Sequence, residues 1–292
     1  MCKDEAAGAG GGAGGGALAA VLPDGRLHLQ HGPIDLIVQA WGPGAAAGYL
    51  RARARFAGLL TELAAELPAL RAERAVLRGP VARAMAAAVA VHHPAFITPM
   101  AAVAGAVADA VLAALAGPRI SRAYVNNGGD IALYLTPGES LAAAIAGICT
   151  GARLRISHVD PVRGIATSGW RGRSFSFGIA DAVTVLAATA ADADAAATMI
   201  ANAVDLPGHF AITRRPACDM QADSDLGARQ VTVAVDALTP TEVSHALGRG
   251  EAVAQRLFDA GQIAGVALFL HPEIRTLGRL FLPTPTPEPC LG

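Results

Sequence analysis

The chain runs to 292 residues, 53% of them hydrophobic and 16% charged, with 23 basic against 24 acidic side chains. That length makes one large domain or two small ones with a sizeable core, and the apolar fraction excludes global disorder. A net charge of −1 gives no basic excess to release counterions, which argues against a nucleic-acid binder held by phosphate contacts.

Much of the apolar content is alanine and only 4% of residues are aromatic, so the core must be packed from Ala, Val, Leu and Ile. Residues 1–17 read as a disordered Gly/Ala-rich tail without the apolar run of a signal peptide. Arg26–Gln30 and Ile34–Ala40 flank His31-Gly32 and read as a hairpin. Ala45–Leu67 places Leu50, Phe56, Leu59, Leu60 and Leu63 at helical spacing. A second helix covers Ala82–Val91 and stops before Pro94. Pro99 opens a third, to about Ala116, too short to span a membrane and interrupted by Asp109.

Ile120–Asn126 and Ile131–Leu135 are strands around the turn Asn127-Gly128-Gly129-Asp130. Ala142–Ile148, Leu154–Ser157 and Val183–Ala187 are further strands, and Gly164–Trp170 reads as a polar loop. Ala191–Ala203 is a helix, Phe210–Thr213 and Val231–Val235 are strands, and Thr239 caps a helix over Pro240–Ala260. Ile263–Leu270 and Thr276–Leu282 close the domain as strands, and residues 283–292 form a Pro-rich tail. Long separate helices among frequent hairpins predict an α+β fold, a single domain over residues 18–282.

The four cysteines, Cys2, Cys149, Cys218 and Cys290, form no CxxC pair, so neither a zinc ribbon nor a disulfide framework is expected. A cytoplasmic protein, free of membrane and nucleic acid, is the expectation. The eight histidines contain no i, i+4 pair; His92 and His93 are adjacent and would point apart on a helix. The Ala-rich helices fit packing within the subunit or across a homodimer.

Three segments carry residues that packing alone does not demand. In Asn127-Gly128-Gly129-Asp130, paired glycines permit positive φ and close ligand approach, although an ordinary hairpin turn uses the same residues. In Thr167-Ser168-Gly169, hydroxyls beside glycine can donate to phosphate or to a flavin carbonyl, with Trp170 as a stacking face; a surface loop is the plain alternative. Asp194 and Thr198 are four apart on a helix, about 6 Å along its axis, and present hard oxygen ligands suited to Mg²⁺. First-turn preference alone also accounts for acids at Asp192 and Asp194.

The order of these motifs, from Phe96–Asp109 through the NNGGDI turn, ATSG and SFSFG-x-ADAVTV to DAAAT, resembles the ApbE superfamily. Its named enzymes are FAD:protein FMN transferases, and the match is closest to its short ApbE-like branch. The resemblance covers about residues 20–282 and implies a T-fold-related domain with mixed or antiparallel sheets and long packed helices. It implies nucleotide contacts from Asn127, Gly128, Gly129 and Asp130, to which the residue chemistry above adds Thr167, Ser168 and Gly169 as candidates. It also implies Mg²⁺ held by Asp194, Thr198 and the main chain near Val103. Asp181 and Asp109 are candidate catalytic acids beside that metal. The implied chemistry is transfer of FMN from FAD to a Thr or Ser of an acceptor protein, or cleavage of FAD to FMN and AMP. The transferases carry a Lys-Gly step where Ala104-Gly105 stands, and their His-x-x-Asp-Pro-x-x-Gly segment has only a look-alike at His158–Gly164. Those departures keep open a non-catalytic flavin-binding or maturation protein of the same fold. The intact Asp194/Thr198 pair argues against a scaffold that lost its site.

Overall fold

The computed structural model describes residues 16–144 and 153–278. Residues 1–15 and 283–292, most of the expected tails, lie outside the described residues, as do the ends of the strands expected to reach Ile148 and Leu282. The strands are β1 (Leu18–Val21), β2 (Leu27–His31), β3 (Ile34–Trp41), β4 (Arg122–Asn127), β5 (Asp130–Leu135), β6 (Ser140–Ala144) and β7 (Arg153–Ser157). They continue as β8 (Gly164–Ser168), β9 (Ala182–Ala187), β10 (Ile212–Pro216), β11 (Gln230–Val235), β12 (Gly265–Leu270) and β13 (Glu273–Leu277). The helices are α1 (Ala45–Ala65), α2 (Leu67–Leu70), α3 (Pro80–Ala90), α4 (Val103–Leu115), α5 (Ala190–Ala203), α6 (Ala217–Met220) and α7 (Pro240–Asp259). A 3₁₀ turn at Pro99–Ala102 leads into α4.

Nine strands form one sheet in the order β1-β2-β3-β4-β5-β8-β9-β12-β13, antiparallel at every pairing. The α+β reading therefore holds, and the sheet is wholly antiparallel. β3 shows why its sequence makes a strand. Ile34, Leu36, Val38 and Ala40 are buried while the intervening residues are not, the period-two pattern of a one-sided strand. Helix α1 buries Gly48, Ala52, Phe56, Leu59 and Leu63, three or four residues apart.

The first half of the sheet packs on α1, α3 and α4, and β8, β9 and β12 pack on α5 and α7. A third apolar cluster includes Leu154 and Ile156 of β7 with Leu133, Ile165 and Leu186 of the main sheet. All six residues of β9 are buried, as befits a central strand covered on both faces.

Two expectations need correction. Gly164–Ser168 is not a loop but strand β8, paired with β9 from Gly164↔Ala187 to Ser168↔Val183. Its first three residues are buried without alternation, which hid the strand. Phe210 lies outside β10 and is 92% exposed. The Thr239 cap is a full capping box, with Glu242 closing it.

Candidate functional site

Helices α4 and α5 meet almost backbone to backbone. A Cβ placed on Gly105 would lie 2.2 Å from the Ala190 carbonyl oxygen, so only glycine admits this approach. At that crossing the helices exchange caps. The Asp194 carboxylate of α5 accepts the Gly105 amide of α4 at 3.0 Å. The Asp109 carboxylate of α4 accepts the Ala190 and Ala191 amides of α5 at 3.1 and 2.9 Å. Both satisfy first-turn amides that have no partner inside their own helix.

Next to the crossing, β4 and β5 turn through Gly128-Gly129, with Asn127 opposite Asp130. Both glycines have positive φ, 66° and 117°, as a two-residue hairpin of this hand requires. The Asn126 Oδ1 accepts the Gly129 amide at 2.8 Å. Asn127 is buried and donates from Nδ2 to the Ala104 carbonyl at 3.1 Å, which ties the turn to α4. The Thr167 amide donates to Asp130 Oδ1 at 3.2 Å.

A cavity of about 290 Å³ opens where these elements meet, lined among others by Val103, Ala104, Asp130, Asp194 and Thr198. Arg71, Arg173 and Asn202 reach it, as do Asp223 and Asp225 from the segment between β10 and β11. That segment is fastened over the cavity. Asp223 pairs with Arg71 at 2.6 Å, and Thr98 donates to Asp225. Arg229 stacks on Phe96 with its guanidinium carbon 3.3 Å from the ring centre.

Two carboxyls that share one cavity repel. Burial pushes Asp130 up to about 7, although the Thr167 amide and Arg173 pull it down. Burial pushes Asp194 well above the ordinary range, and the charge of Asp130 raises it further. Among the described residues no group of three or more His, Cys, Asp or Glu could hold a metal ion. A cation here would rest on two carboxylates, the Thr198 hydroxyl and main-chain oxygen, hard donors that fit Mg²⁺.

Other candidates from the sequence stand elsewhere. Asp109 does not line the cavity and caps α5, and burial raises its carboxyl to about 6 against the Ala191 and Ala190 amides. Asp181 pairs with Arg171 at 2.6 Å and accepts the His271 amide at 2.9 Å. Thr167 and Ser168 end β8, where the Thr167 and Thr184 hydroxyls lie 2.9 Å apart. Gly169 packs against the Ala180 and Asp181 carbonyls. The Trp170 face is covered by Arg171, 4.8 Å from the ring centre. His158 bonds the Leu135 carbonyl through Nδ1 at 2.8 Å and does not line the cavity. His92 and His93 lie past the end of α3 and both line a second cavity of about 730 Å³. Burial lowers His92 to about 4. Sequence reasoning did not single out Arg173, Asn202 or the Asp223–Asp225 segment: Arg173 and Asp223–Asp225 come from segments distant in sequence, and Asn202 stands on α5 one turn beyond Thr198 without a local pattern to mark it.

A sequence model of the family described as AbpE bacteria matches residues 19–276. The chain is similar to the UPF0280 protein of Methanothrix thermoacetophila, 37% identical over 129 residues, 43% of this chain and 52% of the relative. The UPF0280 protein of Methanothermobacter thermautotrophicus is 40% identical over 116 residues, 38% of this chain and 44% of the relative. That of Methanococcus vannielii is 40% identical over 112 residues, 36% and 45%. The chain thus spans about half the length of the curated relatives it matches. With nearly the whole described fold inside the family match, the chain belongs to the AbpE bacterial family, an ApbE-related group.

Proposed function

We propose that the cavity beside the α4–α5 crossing binds a flavin nucleotide, FAD or a close relative, together with Mg²⁺. The chemistry proposed is transfer of FMN to a protein Thr or Ser, or cleavage of FAD to FMN and AMP. The observation that carries this reading is the pair Asp130 and Asp194 in one cavity beside Thr198. Both carboxyls are raised by burial, and the charge of Asp130 raises Asp194 further, a cost that stands unless a cation or protons neutralise them.

Within this reading Asp194, Thr198 and the main chain near Val103 hold the metal. Mg²⁺ bound there would neutralise pyrophosphate charge and orient the leaving group. Asp130 lines the same cavity from the turn and would add a carboxylate to that metal, and Asn127 fixes the turn to α4. The segment at Asp223–Asp225 excludes water from the nucleotide once seated.

A non-catalytic flavin binder is the second reading, and the position of His158 favours it. The segment resembling the His-x-x-Asp-Pro motif braces β7 and β8 instead of lining the cavity, with Asp160 accepting the Ser157 amide at 2.7 Å. The two readings separate by incubating the full chain with FAD and Mg²⁺, with and without hydroxyl-bearing acceptor proteins, and following AMP by chromatography. AMP release lost in Asp194→Asn supports an enzyme. FAD binding without AMP supports the binder. Equal Mg²⁺ and FAD affinity in Asp194→Asn and wild type would sink both.

A further inference from the structure

The cavity is short of positive charge. Lys3 is the chain's only lysine, so among the described residues any permanently charged cation for an anionic ligand is an arginine. Arg71 is committed to Asp223. The amides at the start of α4, which would otherwise suit a phosphate, are engaged by Asp194. Arg173 differs from both. It lines the cavity, is exposed, and makes no hydrogen bond or ion pair within 4 Å among the described residues. Its neighbour Arg171 is held by Asp181 and Trp170, so the two arginines of Arg171-Gly172-Arg173 are used in different ways.

The turn is shaped around this guanidinium. A Cβ on Gly128 would lie 1.7 Å from Arg173 Nη2 and 2.8 Å from its Cζ. Positive φ alone does not demand glycine at this position, because asparagine also adopts it readily. A side chain at Gly128 would be strained by its φ of 66° and would also push aside the flexible guanidinium that lies over it.

We infer that Arg173 is the anion-contacting residue of this cavity, selecting a phosphate- or pyrophosphate-bearing ligand over its uncharged counterpart, and that Gly128 positions it. The inference rests on the nucleotide reading for the location of the ligand. Its chemistry is narrower: a planar fork of donors matched to phosphoryl oxygens, in the same cavity as the carboxylate pair and near enough for its charge to act on Asp130. Anion and cation ends of the site would then be read by different residues, Arg173 for phosphate and Asp194 for metal.

Calorimetric titration of the full chain in Mg²⁺ with FAD, FMN, riboflavin and inorganic pyrophosphate tests it. Arg173→Ala is expected to weaken FAD, FMN and pyrophosphate by about 10- to 100-fold while leaving riboflavin unchanged. Arg173→Lys restores part of the loss, because a point charge lacks the fork. Gly128→Ala gives a comparable loss with Arg173 still present, and the double variant loses no more than either single one. Arg173 is exposed, so its variants fold even where Gly128→Ala proves strained. Wild-type affinity for FAD and pyrophosphate in Arg173→Ala overturns the inference and leaves the nucleotide reading standing. Arg173-dependent pyrophosphate binding with no flavin binding keeps the inference and overturns the flavin reading. Binding of none of the four probes by wild type overturns both.

Discussion

Asp109 and Asp194 stand on two helices that cross at Gly105, and each caps the first turn of the helix that carries the other. The exchange fixes how far along each other α4 and α5 lie, because a slip of one residue would break both sets of bonds. The Asp109 carboxylate accepts both α5 amides and does not line the cavity, so Asp109→Ala is expected to lower unfolding free energy by about 1–2 kcal/mol. Urea denaturation measures this, and an unchanged midpoint would show that the cap contributes nothing.

The same acid sets a pH dependence. Burial raises the folded carboxyl of Asp109 from 3.8 to about 6, so between those values the folded chain binds more protons than the unfolded one. Its contribution to stability is therefore greatest below about pH 4, falls as pH rises towards 6, and is level above that. The change is on the order of 1–3 kcal/mol. Asp109→Asn should flatten this part of the stability–pH curve, and a curve as steep as wild type would assign the slope to other groups.

Asp194→Asn separates stability from binding. The amide keeps the acceptor for Gly105 and removes a charge that burial and Asp130 both oppose. Without metal at neutral pH, the variant is expected to melt at or above the wild-type temperature. Added Mg²⁺ should raise the melting temperature of wild type and not of the variant. A lower melting temperature in metal-free Asp194→Asn would contradict the repulsion argued for this pair.

Gly105→Ala tests the crossing itself. With a Cβ 2.2 Å from the Ala190 carbonyl, the helices must part, at a cost of about 2–3 kcal/mol or more. Denaturant titration reads the loss. The methyl is as small as a side chain can be, so a neutral result would mean the helices separate without cost.

The segment over the cavity is held at Arg71–Asp223, Thr98–Asp225 and Arg229–Phe96. The Arg71–Asp223 pair is partly exposed and of modest worth alone. Asp223→Ala with Asp225→Ala removes both carboxylates, and cleavage by trypsin at Arg229 is expected to quicken several-fold. Unchanged cleavage would leave the aromatic contact as the main fastening.

The sequence was most informative where one local pattern decides a structure. The Gly128-Gly129 turn, the α1 stripe from Phe56 to Leu63 and the Thr239 cap of α7 each needed only neighbouring residues, although Leu50, read as part of that stripe, is 65% exposed. Strand β8 escaped because burial on both faces erases alternation, and Thr167-Ser168 looks like a loop when Thr184 across the ladder is unseen. The separation of Asp194 and Thr198 from Asp109 was likewise illegible. All three are polar residues on Ala-rich helices, and only the crossing shows which face the cavity. Arg173 was invisible for the converse reason, since its neighbour in space, Gly128, is far away in sequence.

The crossing at Gly105 also joins two lengths of chain that fold around separate cores. α4 belongs to the core with β2–β5, and α5 carries much of the core with β8, β9 and β12. Asp130 comes from the former length, and Asp194, Thr198 and Arg173 from the latter. Neither half alone contains the cavity. If the cavity takes the ligand proposed above, binding would report on assembly: a chain with only one half folded lacks the complete lining, and a bound ligand would hold the two lengths together.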